Sequence, residues 1–124
     1  MDKLLIEATE DTPMIHFDDE SNMFEISGRS YPDNVFTFYD PIFAWLNNYA
    51  NAPQKLSTLV LKLDYFNTAS AKIIFDILSV FDKMHANGHK VEILWFYKTE
   101  DDEMKDAGEG FKKIIDATIE IKNY

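Results

Sequence analysis

The residues of this chain best placed to do chemistry lie in one stretch, Asp64-Tyr65-Phe66-Asn67-Thr68-Ala69-Ser70-Ala71-Lys72. It directly follows a run dense in Leu and β-branched residues and precedes apolar residues Ile73, Ile74, Ile77, Leu78, Phe81 and Met84 at helical spacing. The pattern predicts a buried strand, a tight turn and an amphipathic helix with Asn67 or Thr68 as its N-cap. The first amides of a helix have no intrahelical acceptor, and the aligned peptide dipoles leave partial positive charge there. A phosphate ester on a hydroxyl at that point is therefore stabilised, and it brings roughly 1.5 to 2 negative charges and three acceptor oxygens. Simple capping is the commoner role of Thr and Asn at such a position, and the residues alone leave both readings open.

Asp64, at the carboxyl end of the predicted strand, is a second candidate. A carboxylate there, with Lys98 beyond the next strand as a charge partner, superficially resembles a response-regulator receiver or a metal-dependent acidic site. A receiver also needs an acidic pair after its first strand, and Glu7, Glu10 and Asp11 are poorly spaced for that. Ordering the turn through nearby amides is the plainer role for Asp64. His85 and His89 have the i, i+4 spacing of paired metal ligands, but Gly88 between them is expected to end the helix and part their faces. The clusters Asp18-Asp19-Glu20 and Asp101-Asp102-Glu103 lack the spacing of a calcium loop and read as a solvated turn and a dipole-matched helix start. No phosphate-binding Gly-rich loop, Gly-x-Ser-x-Gly elbow or His-Glu-x-x-His motif occurs, and four glycines leave little from which to build a nucleotide cradle. The reading is of a non-enzyme without metal or cofactor.

The elements that must position these groups follow from periodicity. Leu4 to Glu7 is a predicted first strand, and Met14-Ile15-His16-Phe17 faces Met23-Phe24-Glu25-Ile26 across a polar turn as a hairpin. Residues 27–34 read as a loop, followed by an aromatic-rich helical region, residues 36–49, that Pro41 is expected to divide or bend. A strand over residues 56–63 precedes the helix at Thr68, which should stop at Asn87-Gly88. Residues 91–97, apolar on nearly both faces, predict a central strand. A helix over residues 100–115 is weakened in its middle by Gly108 and Gly110, and residues 118–121 suit a last edge strand. A hairpin followed by alternating helices and strands predicts an α/β fold, one mixed sheet with helices packed over it, in a single domain spanning residues 1–124.

Composition bounds the partners. A chain of 124 residues, 46% hydrophobic and 15% aromatic, can build one core. The absence of cysteine excludes disulfides, thiolate zinc sites and thiol catalysis. A net charge of −10 works against nucleic acid and anionic lipid, which demand neutralising Lys and Arg. With neither a secretory signal nor a membrane span in view, the expected location is cytoplasmic.

Three strings together carry a resemblance: Ile26-Ser27-Gly28-Arg29-Ser30-Tyr31-Pro32-Asp33-Asn34, Phe38-Tyr39-Asp40-Pro41-Ile42-Phe43-Ala44-Trp45-Leu46, and the Asp64 to Lys72 stretch. They resemble the SiaC family of bacterial regulatory phosphoproteins, and the likeness runs nearly end to end, through Val91 to Tyr97 and Asp101-Asp102-Glu103-Met104. The resemblance implies a fold similar to the STAS domain of anti-sigma-factor antagonists and a partner-switching module. It implies phosphorylation of Thr68, with Ser70 the nearest substitute, by a dedicated Ser/Thr kinase, and dephosphorylation by a PP2C-type phosphatase. It further implies that the unmodified form binds and activates an effector, a diguanylate cyclase in the best-known member, which belongs to cyclic di-GMP signalling and biofilm regulation. Tyr65, Phe66 and Ala69 are then the candidate contacts, with Asn67 positioning the turn and Asp64 and Lys72 at the ends of the surface.

Overall fold

The computed structural model describes residues 3–124. In chain order the elements are β1 (Leu4–Ile6), β2 (Met14–Asp18), β3 (Met23–Ser30), α1 (Val35–Ala50), β4 (Leu56–Phe66), α2 (Thr68–Ala86), β5 (Lys90–Tyr97), α3 (Asp102–Lys112) and β6 (Thr118–Asn123). The six strands form one sheet whose spatial order is their chain order. β1, β2 and β3 pair antiparallel, and β3 to β6 pair parallel, one helix crossing over each time. The mixed α/β sheet with helices packed over it is thus the observed architecture, with β5 interior and β6 at an edge.

All three helices cover the same face. Their buried residues, among them Ile42, Leu46, Ile74, Ile77, Phe81 and Met104, join one core with Phe17, Phe24, Leu59, Leu61, Ile93 and Trp95 from the strands. The opposite face carries polar and charged residues on several strands, His16 beside Glu25 in one place and Thr58 beside Glu92 in another. The helices bury their apolar stripes on the core face, and the second face is the more open one towards the sheet's edges, which accounts for the alternation in β2 and β6, whereas Thr58 and Val60 of β4 are buried on it as well.

α1, β3, β4 and α3 differ from the sequence-based reading, each for a physical reason. α1 runs unbroken through Pro41. Proline removes only the bond to the Thr37 carbonyl, and both residues lie on the exposed side, where water can take that bond. β3 and β4 extend to Ser30 and Phe66 because their pairing survives a bulge: β3 advances from Gly28 to Arg29 while β4 advances from Leu63 to Tyr65. Gly28 takes φ of 106° there, a conformation open to glycine. α3 begins and ends inside the predicted span and passes through both glycines. Gly108 is where the helix meets the sheet, since a Cβ on it would lie 2.4 Å from Cδ1 of Trp95. The Trp95 indole N–H donates to the Met104 carbonyl at 2.9 Å, so the same tryptophan both packs and ties α3.

Candidate functional site

The bulge decides what the end of β4 presents. Up to Leu63 the odd-numbered residues of β4 face the core, and Asp64 is the extra residue opposite the Gly28/Arg29 step. Beyond it the parity inverts. Phe66 turns inward, edge-on to Trp95 at 6.3 Å between ring centroids, while Tyr65 turns out and is 47% exposed. Arg29 lies 5.3 Å from the Tyr31 ring centroid and 6.0 Å from that of Tyr65, and the two tyrosines meet edge to face at 5.7 Å. This aromatic and guanidinium cluster holds Tyr65 at the surface.

Asn67 is the N-cap of α2. Its side-chain oxygen accepts from the Ser70 amide at 2.9 Å, and its own amide donates to the Ser30 carbonyl at 3.1 Å. Thr68 is the first helical residue, exposed, and among the described residues no hydrogen-bond partner of its hydroxyl is seen. Its Oγ1 therefore stands free at the positive end of a 19-residue helix. Ala69 beside it is exposed as well.

Ser70 has the opposite environment. It is fully buried, accepts from the Ser30 hydroxyl at 2.8 Å, and through Ser30 is linked to the Tyr39 hydroxyl at 2.7 Å. With the Ser30 proton directed at Ser70, Tyr39 is left to donate to Ser30. Burial pushes the Tyr39 phenol up to about 12. Ser70 is therefore a link in a buried relay joining β3, α1 and α2, and it offers no surface to a modifying enzyme. Sequence reasoning missed this relay. Its members lie far apart in the chain, Ser30 in a polar stretch read as a loop, Tyr39 and Ser70 among apolar residues, and nothing local links them.

Asp64 is exposed and pairs with Lys98 at 3.0 Å. That hydrogen bond, then the charge of Asp64, raises the Lys98 ammonium above its ordinary range. Glu7, Glu10 and Asp11 lie in the β1–β2 connection, where the Asp11 carbonyl accepts from the Tyr31 amide at 2.8 Å; among the described residues no group of three or more His, Asp or Glu side chains is placed to hold a metal ion. Lys72, one turn into α2, pairs with Asp76 at 2.9 Å. His85 lies within α2 and His89 beyond it, separated by Gly88 at φ of 93°.

Beside the β4–α2 junction a cleft of about 220 Å³ opens between the end of β4 and the first turns of α3. Asp64, Tyr65 and Phe66 form one wall, and Asp101, Glu103 and Met104 the other. Asp101 caps α3 by accepting from the Met104 amide at 3.0 Å. Tyr65, Phe66 and the α3 cap were legible only separately, since nothing in one chain shows that β4 and α3 meet. Among the described residues, no helix is long and apolar enough to cross a membrane.

Residues 6–124 match the model of the SiaC family regulatory phosphoproteins. The chain belongs to the SiaC family. It is 29% identical over 113 residues to an uncharacterised protein of Pseudomonas aeruginosa (strain UCBPP-PA14), covering 91% of this chain and 90% of that one. Among solved structures it is similar to apo-SiaC from Pseudomonas aeruginosa, with a TM-score of 0.90 and 28% identity over 98% of this chain and 99% of that one. It is equally similar to a chain in the crystal structure of the diguanylate cyclase SiaD in complex with its activator SiaC, from the same organism. There the TM-score is 0.92 and the identity 27%, again over 98% of this chain and 99% of the other. This is a regulatory phosphoprotein family, and the mixed six-stranded sheet with three helices is its fold.

Proposed function

We propose that this protein is a non-enzymatic, cytoplasmic signalling adaptor whose choice of partner depends on phosphorylation of Thr68. A cognate Ser/Thr kinase adds the phosphate, a PP2C-type phosphatase removes it, and the unmodified form binds and activates an effector, a diguanylate cyclase. One observation carries the reading: in a regulatory phosphoprotein family, the exposed hydroxyl of Thr68 stands on the first residue of α2, beside the exposed Tyr65 and Ala69. The likeness to SiaC in complex with the cyclase that it activates supports the choice of effector.

The switch follows from desolvation. Unmodified, the end of β4 and the start of α2 offer a small, partly apolar surface with a cleft at its side. A docking partner must strip water from it. A phosphate there adds charge and tightly held water, and burying it without a partner costs several kcal/mol, on the order of a thousandfold in affinity. Only a partner that touches this corner is switched, because regulation needs a difference in affinity between the two forms.

The test is intact-mass analysis and binding with purified kinase and effector. Thr68→Ala stays unmodified and binds the effector constitutively, Thr68→Asp binds poorly, and Ser70→Ala still takes up one phosphate. Stoichiometric phosphorylation of Thr68→Ala at another single site would refute the assignment. Hydroxylamine treatment separates the Asp64 alternative, since an acyl phosphate is lost and a threonine phosphate survives.

A further inference from the structure

Thr68, Lys72 and Asp76 lie one turn apart on α2, so the lysine has the same step to the residue before it as to the residue after it. Its ammonium, on a side chain 71% exposed, now sits 2.9 and 3.2 Å from the two carboxylate oxygens of Asp76. We propose that phosphorylation of Thr68 exchanges this ion pair: Lys72 leaves Asp76 and closes on the phosphate. Lys72 is then the residue that holds the modified state, an inference resting on Thr68 as the modified residue. No covalent bond changes in the exchange.

Three effects favour the phosphate. The first is direction. On a helix, an anion four residues before a cation is the better arrangement, and Lys72 before Asp76 is the reverse one. The second is charge. A phosphate carries about 1.5 to 2 charges against the single charge of a carboxylate, so at equal separation the Coulomb attraction is nearly doubled. The third is position. A phosphate on the first residue of α2 keeps the favourable field of the helix terminus, whereas Asp76, in the middle of the helix, gains little from it. Against these stands only the present pair, which is solvent-exposed on both sides and of the kind that is worth little. The reach of Lys72 is unhindered because its side chain lies on the open side of α2.

The exchange moves charge along the surface that a partner would read. Before modification the strip presents a neutral hydroxyl and a closed Lys72–Asp76 pair. Afterwards it presents a lysine bound to the phosphate and a released carboxylate at Asp76. A partner contacting Lys72 thus loses it at the same moment that it meets the phosphate.

The experiment uses the full chain with phosphothreonine encoded at position 68 during synthesis, so it does not depend on any kinase. The Lys72 ammonium is followed by lysine-selective ¹⁵N NMR and the phosphate by ³¹P NMR, each with Lys72→Met and Asp76→Asn variants. In the unmodified protein, Asp76→Asn shifts the Lys72 signal. In the phosphoprotein that sensitivity is lost, and Lys72→Met instead shifts the ³¹P resonance. A Lys72 signal that still follows Asp76→Asn, with a ³¹P resonance indifferent to Lys72→Met, would overturn the exchange. Failure of Thr68 itself as the modified site would appear separately, as an absent phosphate by intact mass on protein from its native host.

Discussion

Raising the pH should loosen this protein through one phenol, and the size of the effect follows from the relay under α2. Tyr39 is fully buried and its phenol is pushed up to about 12, mainly by burial. In the unfolded chain a tyrosine titrates near 10. The folded form therefore holds its proton after the unfolded form has lost it, so the stability tied to the neutral phenol is complete below pH 10 and is lost as the pH rises towards 12. The full difference of about two units corresponds to about 2.7 kcal/mol, of which about 2 kcal/mol is gone by pH 11.5. For a domain of this size that lowers the melting temperature by roughly 6–10 °C. The assay is thermal unfolding by circular dichroism from pH 8 to 11.5, comparing the parent with Tyr39→Phe. The variant should cost about 1 kcal/mol at neutral pH, for the hydrogen bond to Ser30, and should lack the Tyr39 share of the alkaline fall. Lysines deprotonate in both proteins and cancel in the difference. Equal alkaline falls in parent and variant would refute the reasoning.

Two further outcomes test the scaffold. Gly108→Ala places a methyl against the Trp95 indole and should destabilise the fold by about 1–3 kcal/mol, read by urea unfolding, with tryptophan fluorescence reporting displacement of α3. Asn67→Ala removes the cap on the Ser70 amide and should cost about 1 kcal/mol, while Asn67→Asp, which keeps the acceptor, should restore most of it in the same measurement.

What could be read from the chain alone was periodic or local. The alternation in β2, the apolar run of β5 and the helical spacing of α2 placed those elements, because each reflects burial on one or both faces. Asn67 and Asp101 were legible as helix starts for the same local reason. The ends of β3 and β4 were not, since their last residues are held by each other across a bulge, and a bulge breaks the alternation that reveals a strand. Pro41 and Gly108 argued against helices that form anyway, the first because its lost bond faces water, the second because the sheet needs a side chain to be missing there. Thr68 and Ser70 look alike in sequence, two hydroxyls two residues apart. Only the packing of β3 and α1 against the start of α2 makes one a surface group and the other an interior one.

The sheet order has a consequence for how the protein is made. Each strand pairs with the one synthesised just before it, so no strand has to slip between two that are already joined. During translation the hairpin of β2 and β3 can offer its free edge to β4, then β4 to β5, and the growing sheet is extended from one side only. Assembly can therefore keep pace with the ribosome, adding one crossover unit at a time.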